Sequence, residues 1–379
     1  MKKILLCVAM LAMFVVSCGG GKSTKDKDVI KVGVIGPLTG NLAQYGTSSI
    51  NGFKLKVKEI NEAGGINGKK IEVVEADSKG DVQEAINAFK KMVSQDKIDI
   101  FVGEVTSGPS LAIAPLAQQA KIPMITSTST AFDVTKDKDF VFRTTFTDPY
   151  QGEVLAKFTK DKLAAKTVAI ISNNSSDYSD GVANAFAKEA EAQGIQIVAR
   201  EGYSDGDKDF KAQLTKIAQQ NPDVLFVPDY YEQDGLIAIQ AREVGIKSVI
   251  VGPDGWDGVV KTVDPSSYAA IEDVFFANHY STKDSNEKVQ NFIKNYKEKY
   301  NDEPSAFSAL SYDAAYILKA AIEKAGTTDK EAVAKAIKEL EFEGITGHLT
   351  FDEKNNPVKS ITIIKIVNGD YTFDSVVSK

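Results

Sequence analysis

The sequence predicts an α/β protein of two lobes, each a doubly wound parallel sheet with helices on both faces. Short apolar runs alternate with segments whose apolar residues have helical spacing, which is typical of a parallel sheet. The plan is also repeated, because residues 222–256 follow the same order as residues 99–130. A chain of 379 residues, 43% of them apolar, is long enough for two such lobes.

The first lobe opens with strand and helix signals in strict alternation. Residues 30–35 and 71–74 are apolar runs that predict strands, and residues 50–60 and 82–93 carry apolar residues at helical spacing. The first of these helices should stop at the glycine pair 64–65. This order predicts strand, helix, strand, helix before residue 99.

Residues 99–130 then supply two strands, each followed by a loop of small polar residues. The run 100–102 breaks at Gly103 into a loop with Thr106 and Ser107, and a helix is predicted to open at Pro109. The run 122–125 breaks into five consecutive hydroxyl residues, 126–130. Small ligands bind at the carboxyl ends of strands in such sheets, so these loops predict a binding site of neutral donors and acceptors.

The second lobe repeats the alternation from residue 148 onwards. Strands are predicted at residues 168–171 and 195–198, and residues 222–256 add two more with their own carboxyl-end loops. Phe275 and Phe276 are predicted to end a strand. Three helices and strand-like runs at 349–351, 361–367 and 371–373 close the chain.

The domain boundaries follow from three predicted crossings between the lobes, near Thr147, Asn278 and Asn356. Lobe one is assigned residues 29–147 and 279–355, and lobe two is assigned residues 148–278 and 356–379. Several crossings make a hinge, and hinged lobes close over a ligand.

The amino-terminal segment has the anatomy of an export signal, with a basic start and an apolar core up to Val16. Ser17 and Cys18 resemble the end of a bacterial lipoprotein signal, which predicts a lipidated Cys18 and a linker over residues 19–28. An ordinary export signal with a chance cysteine is the alternative. Both cysteines, Cys7 and Cys18, lie in this leader, so an internal disulfide is not expected in the remainder.

Composition and motifs argue against several other classes of function. The 45 basic and 52 acidic residues give a net charge of −7 without a basic cluster, which argues against nucleic acid as a partner. The glycines at 33, 36 and 40 miss the dinucleotide spacing, and residues 21–23 lack the rest of a phosphate loop. No cofactor is therefore expected.

Metal binding and catalysis are also not expected. His279 and His348 are the only histidines, and neither has a partner at metal-ligand spacing. Ser107 has no base nearby in sequence and no nucleophile-elbow pattern, although the distant His279 stays open as a base on sequence alone. We expect a binding protein and not an enzyme.

Aromatic residues and one carboxylate complete the predicted site. Tyr45, Tyr178, Tyr230 and Trp256 each follow an apolar run, which predicts the walls of an amphipathic pocket. Asp254 is placed to meet a ligand cation, with a plain turn residue between Pro253 and Gly255 as the alternative.

An ordered set of segments resembles the leucine/isoleucine/valine-binding proteins, which are solute receptors of the type I periplasmic-binding-protein fold that feed ATP-driven importers. The resemblance covers nearly all of the chain after the leader. The segments are AQYG at 43–46, INEAGGINGKKIEVV at 60–74, FRTTFTDPYQG at 142–152, DKDF at 207–210, QAREVGIK at 240–247, GPDG at 252–255 and LTFDEKNN at 349–356.

The resemblance implies roles for particular residues in holding an amino acid. The α-carboxylate would be met by Ser107, by the loop of Thr128 and Ser129, and by Thr130, which would also meet the α-ammonium with Asp254. Tyr178 and Tyr230 would close over the ligand from lobe two. The ligand side chain would lie against Tyr45, Thr106, Trp256 and Phe307.

Departures from the family pattern leave the ligand side chain open. Asp254 stands where glutamate is more usual, Thr128 and Ser129 replace small apolar residues, and Trp256 adds bulk. The resemblance implies a monomeric, lipid-anchored receptor in the periplasm or on the cell surface. It would deliver an aliphatic, branched-chain amino acid to the permease of an ABC importer; an amide, urea or other small solute, and a ligand-sensing role, are the alternatives.

Overall fold

A computed structural model describes residues 29–377. The leader, Cys18, the linker and residues 378–379 lie outside the described residues, and so do the predictions of an export signal and of lipidation. None of the helices between residues 29 and 377 combines the length and the apolar character that crossing a membrane requires.

The described part of the chain contains fifteen strands and ten α-helices. The strands are β1 Val29–Gly36, β2 Lys70–Asp77, β3 Ile100–Val102, β4 Met124–Thr126, β5 Val141–Arg143, β6 Thr167–Asn173, β7 Gln196–Tyr203, β8 Val224–Phe226, β9 Val249–Gly252, β10 Phe275–Asn278, β11 Glu341–Gly344, β12 Gly347–Phe351, β13 Pro357–Val358, β14 Ile361–Val367 and β15 Asp370–Val377. The helices are α1 Ala43–Glu62, α2 Val82–Lys91, α3 Ser107–Ala120, α4 Asp148–Asp161, α5 Asp177–Ala192, α6 Lys211–Gln220, α7 Tyr231–Glu243, α8 Glu287–Tyr300, α9 Ala306–Ala325 and α10 Lys330–Lys338.

Lobe one is built on a five-stranded sheet of order β2-β1-β3-β4-β5, in which every pairing is parallel. All residues of β3, β4 and β5 are buried, as expected for a parallel sheet covered by helices on both faces. The strand order reverses between β1 and β3. Their carboxyl ends therefore form the switch point where such sheets bind ligands.

Lobe two is built on a seven-stranded sheet of order β15-β14-β10-β9-β8-β6-β7. The pairings among β6 to β10 are parallel, while β14 and β15 add an antiparallel edge. The α/β fold with two doubly wound sheets is thus confirmed, and lobe two carries a mixed sheet because the last two strands form a hairpin.

Helices from the second half of the chain complete the core of lobe one. Ile317 and Leu318 of α9 and Ile337 of α10 share one buried cluster with Ile30 of β1 and Phe53 of α1. The small sheet β11-β12-β13 lies beside them, since Leu349 belongs to the same cluster. The chain therefore passes between the sheets after β5, after β10 and between β13 and β14.

Local sequence explains most element boundaries, with two differences from prediction. Helix α1 ends before Gly64 and Gly65, whose positive φ angles of 108° and 83° stop a helix. Helix α3 begins at Ser107 rather than at Pro109, because Thr106 is still extended, with φ −106° and ψ 157°. The prediction that Phe275 ends a strand was wrong, because this residue begins β10.

Candidate functional site

The hydroxyl-rich loops after β3 and β4 lie side by side and are joined by hydrogen bonds. The Thr128 hydroxyl donates to the carbonyl of Val105 over 2.5 Å, and the Ser129 hydroxyl donates to the carbonyl of Thr106 over 2.9 Å. Both side chains are buried. Their hydroxyls therefore hold the two loops together.

Glu104 fixes the conformation of the first loop and was missed at the sequence level. Its carboxylate accepts hydrogen bonds from the Ser78 hydroxyl over 2.6 Å and from the Thr106 backbone N–H over 2.7 Å. The Thr106 hydroxyl also donates to it, over 3.0 Å. Burial raises the pKa of Glu104. The available signal was an acidic residue directly after an apolar strand, in a position where an unpaired charge is costly.

Helix α3 presents its amino terminus at this edge of the sheet. No side chain caps the helix, and the Ser107 hydroxyl accepts a hydrogen bond from the Ala131 backbone N–H over 3.3 Å. The buried Thr130 hydroxyl has no hydrogen bond of good geometry within the described residues, but it lies close enough to the Asp148 carboxyl to interact with it. Free N–H groups and a helix dipole attract an anion, so this corner suits a carboxylate.

Arg143, at the end of β5, holds the loop that carries Thr130. Its guanidinium is fully buried and donates to the carbonyls of Ser129, Ala131 and Phe132 over 2.9, 2.8 and 3.3 Å. Burial lowers the pKa of Arg143 to about 10, and it remains charged at neutral pH. Sequence reasoning missed this residue, although a single arginine in a buried strand was a visible signal.

Asp254 lies across the cleft, in a 3₁₀ turn over Asp254–Trp256 that directly follows β9. One carboxylate oxygen accepts a hydrogen bond from the Tyr178 hydroxyl over 2.6 Å, and the Gly255 N–H donates to that same hydroxyl over 2.8 Å. The other oxygen lies 3.3 Å from Nε2 of His279. Asp254 is buried, so a carboxylate here requires compensation by such donors or by a cation.

His279 follows β10 and lies next to Asp254. The sequence did not predict this contact. Its ring stacks on Phe146 at a centroid distance of 4.0 Å, and Nε2 also lies 3.2 Å from the Thr145 hydroxyl. Burial lowers the pKa of His279 to about 4, so the ring is neutral at pH 7. A neutral imidazole can donate to Asp254 without cancelling its negative charge.

A second buried carboxylate, Asp148, opens helix α4 beside Asp254. Gln151 joins the two residues, since its amide donates to Asp148 over 3.1 Å and its oxygen accepts from the Asp254 N–H over 3.3 Å. Burial, together with the nearby charge of Asp254, raises the pKa of Asp148 to about 7. Sequence reasoning missed Asp148 as well.

Four of the predicted aromatic residues form one continuous wall that draws on both lobes. Tyr178 stacks on Tyr230 with centroids 4.8 Å apart, and Tyr45 stacks on Phe307 with centroids 4.0 Å apart. An edge contact of 5.7 Å between Tyr45 and Tyr230 connects the pairs. The Tyr45 hydroxyl also donates to the Gly255 carbonyl and accepts from the Tyr231 N–H over 3.3 Å.

Trp256 packs below this wall, in the interior of lobe two. Its indole N–H donates to the Val227 carbonyl over 2.8 Å, and its ring lies against Gly252, where a Cβ would come within 1.9 Å of the indole nitrogen. The side chain is fully buried in a cluster that also contains Tyr45 and Phe307. The structure thus places Trp256 as support beneath the wall.

The candidate site combines hydroxyl-rich loops, buried carboxyls and aromatic rings. The loops after β3 and β4 and the start of α3 belong to lobe one, Asp254 belongs to lobe two, and the buried Asp148 carboxyl lies near both Thr130 and Asp254. Between residues 29 and 377, no three histidine, cysteine, aspartate or glutamate side chains are grouped so as to hold a metal ion. Nε2 of His279 lies near Asp254 and Thr145, and the only hydrogen bond found for the Ser107 hydroxyl among the described residues comes from the Ala131 N–H.

Known sequences are similar to this chain over most of its length. Residues 29–370 match the family model described as periplasmic binding protein. A Leu/Ile/Val-binding protein of Rhizobium johnstonii is 36% identical over 327 residues, covering 86% of this chain and 88% of the relative. A leucine-, isoleucine-, valine-, threonine- and alanine-binding protein of Pseudomonas aeruginosa is 32% identical over 334 residues, covering 87% of each chain.

Solved structures show the same fold over almost the whole chain. A leucine-binding protein from Thermotoga maritima has a TM-score of 0.85 at 36% identity, covering 92% of this chain and 99% of that chain. A branched-chain amino acid transporter substrate-binding protein from Streptococcus pneumoniae, in complex with isoleucine, has a TM-score of 0.87 at 36% identity. That alignment covers 93% of this chain and 100% of the other.

Proposed function

This chain belongs to the periplasmic binding proteins, in the group of the Leu/Ile/Val-binding proteins, and on that basis we propose that it captures a branched-chain aliphatic amino acid. Its family consists of exported solute-binding proteins rather than enzymes. The observation that carries the proposal is that lobe one offers a helix amino terminus with hydroxyl groups, which suits an anion, and that lobe two offers the Asp254 carboxylate, which suits a cation.

The carboxylate of the ligand would lie at the corner formed by Ser107, Thr130 and the start of α3. The backbone N–H groups of Ser107 and Gly108 at the start of α3 and the Thr130 hydroxyl would complement one negative charge without a cation once the neighbouring Asp148 carboxyl is protonated. Thr128, Ser129 and Thr106 would contribute through the shape of their loops, since their hydroxyls are engaged with neighbouring carbonyls and with Glu104.

The ammonium group of the ligand would lie against Asp254. This carboxylate already has Tyr178 as one donor and a neutral His279 as a second, so its negative charge is oriented but not neutralised. Burying an ion without a partner costs several kcal/mol, which makes a ligand cation the natural complement.

The ligand side chain would pack against the aromatic wall of Tyr45, Tyr230 and Phe307, an apolar surface suited to a branched hydrocarbon. The start of α3 belongs to lobe one, Asp254 belongs to lobe two, and the aromatic wall draws on both lobes. A bound amino acid that contacts all three would therefore stabilise the closed arrangement of the lobes. The three passages of the chain between the sheets would serve as the hinge.

Anchoring and delivery belong to the same proposal. Lipidation at Cys18 would hold the receptor at the outer surface of a membrane through the 19–28 linker. The relatives that bind leucine, isoleucine and valine support delivery to the permease of an ABC importer.

The proposal is tested by identifying the ligand and then removing its cation partner. Mass spectrometry of ligand released from the purified protein, followed by calorimetry, should find leucine, isoleucine or valine with Kd far below 1 mM. The Asp254→Asn variant should weaken leucine binding about 100-fold, or about 2.7 kcal/mol, and should change binding of 4-methylpentanoate, which lacks the ammonium, less than threefold.

Two outcomes would contradict this proposal. If no amino acid binds more tightly than about 1 mM while a neutral amide or urea does, the ligand class is wrong. If Asp254→Asn weakens leucine and 4-methylpentanoate equally, Asp254 supports the shape of the site and does not meet the ammonium.

A further inference from the structure

A basic groove lies on lobe one, at the end opposite to the ligand cleft. It has a volume of about 520 Å³ and lies between the second half of α1, the edge strand β2 and the end of α8. We call it the basal groove. The residues that line it are Lys54, Val57, Lys58, Asn61, Glu62, Lys70, Val73 and Lys299.

The basal groove concentrates positive charge on a chain whose net charge is −7. Four lysines and one glutamate line it. Lys54 and Lys58 each have one carboxylate neighbour, Glu75 at 3.0 Å and Glu62 at 3.6 Å. Partial burial and the nearby charges of Lys58 and Lys54 lower the pKa of Lys299, while Glu62 and Glu59 act on it in the opposite direction. Lysines nevertheless outnumber carboxylates among the residues that line the groove. Such an environment attracts an anionic partner.

The groove lies beside the point where the described chain begins. Val29 pairs with Lys70 in the register of β1 and β2, so the start of β1 is next to the groove. Ten residues separate Cys18 from Val29, and such a stretch spans at most about 35 Å when fully extended. The ligand site is at the other ends of the same strands, about 25 Å away for an eight-residue strand.

We propose that the basal groove contacts the headgroups of anionic phospholipids, so that the anchored protein rests on the base of lobe one whenever it is not docked on the permease. The inference rests on the lipid anchor of the proposed function. The anchor keeps the groove within reach of the bilayer, and the four lysines select which face of an otherwise acidic protein turns towards it.

The test measures lysine accessibility on the full-length lipidated protein reconstituted into vesicles. Acetylation rates are followed by mass spectrometry on phosphatidylcholine vesicles with and without one quarter phosphatidylglycerol. Lys54, Lys58, Lys70 and Lys299 should react at least threefold more slowly on the anionic vesicles, and 0.5 M NaCl should remove the difference. Lys247, exposed on lobe two, should react equally on both.

Variants separate the charge of the groove from general attraction. In the Lys58→Gln, Lys299→Gln double variant, Lys54 and Lys70 should lose their protection on anionic vesicles. The matched Lys188→Gln, Lys208→Gln variant removes two exposed charges of lobe two and should leave that protection unchanged. Circular dichroism of both variants would show that the fold is kept.

Several results would overturn the proposal. Equal acetylation on both vesicles, with the protein floating on them, rejects the groove contact while the anchor stands. Protection by 10 mM inorganic phosphate on neutral vesicles would make the groove a site for a free anion. A chain that carries no lipid and does not float rejects both anchor and groove contact, whereas amino-acid binding by calorimetry is unaffected by either failure.

Discussion

Arg143 should determine how well the site holds a carboxylate, although it lies behind the loop and not in the cleft. Its guanidinium donates to three carbonyls on either side of Thr130, and each hydrogen bond from a charged group contributes about 1.5–3 kcal/mol. Lysine keeps the charge but cannot reach three carbonyls from a single ammonium. We therefore expect Arg143→Lys to cost about 2–4 kcal/mol of stability and to loosen the Thr130 loop.

The assay compares two ligands that differ only at the carboxylate. Arg143→Lys should weaken leucine binding about 10- to 100-fold, which corresponds to about 1.4–2.7 kcal/mol, measured by calorimetry well below the melting temperature. Binding of leucinol, which has a hydroxymethyl group in place of the carboxylate, should change less than threefold. Equal losses of affinity for leucine and leucinol would contradict this prediction, because Arg143 would then stabilise lobe one without positioning the Thr130 loop for the ligand carboxylate.

Two further predictions concern the closure contact and a buried carboxyl. Tyr45→Phe keeps the stack on Phe307 but loses the hydrogen bonds to Gly255 and Tyr231. Leucine should therefore dissociate faster in stopped-flow experiments, and its Kd should rise about five- to tenfold, or about 1 kcal/mol. The control variant Tyr300→Phe removes a hydroxyl bonded to Asn51 inside lobe one and should change neither the dissociation rate nor the Kd. The pKa of Asp148 is raised to about 7, so the folded protein keeps a proton on this carboxyl that the unfolded chain releases above about pH 4. The contribution of Asp148 to the free energy of unfolding therefore falls between pH 4 and pH 7. The Asp148→Asn variant should match the wild type at pH 4 and exceed it at pH 8 by up to roughly 4 kcal/mol in urea unfolding; an identical pH dependence in both proteins would contradict this assignment. The lowered pKa of His279 makes stability rise between pH 4 and 6.5. This contribution is the same in the wild type and in Asp148→Asn, so it drops out of the difference between them.

The fold class could be predicted from the order of residues alone, and so could the strand ends at which a ligand site is expected. Apolar periodicity is a local property, and buried parallel strands such as β3 and β4 need continuous apolar runs wherever they lie in the sheet. The hydroxyl loops and the GPDG turn follow those strands directly, so a reader of the sequence can place them at the carboxyl edge. The strand–helix repeat likewise predicted two lobes.

Only the tertiary structure decided which polar groups pair with which. Glu104, Arg143, Asp148 and His279 were visible as residues, yet their partners lie on other elements and are brought together only by the packing of both lobes. The contact between Tyr45 and Gly255, for example, joins positions 210 residues apart in sequence. The sequence also could not tell that the Thr128 hydroxyl donates to the Val105 carbonyl inside lobe one, whereas the Thr130 hydroxyl lies near the Asp148 carboxyl at the start of α4.

Burial makes an unpaired polar group costly, but it does not determine which group becomes its hydrogen-bond partner. Hydropathy determines which segments leave water, and this follows from the order of residues along the chain. The choice among possible hydrogen-bond partners depends on distances of a few tenths of an ångström between elements, and those distances exist only once the two sheets and their helices have packed.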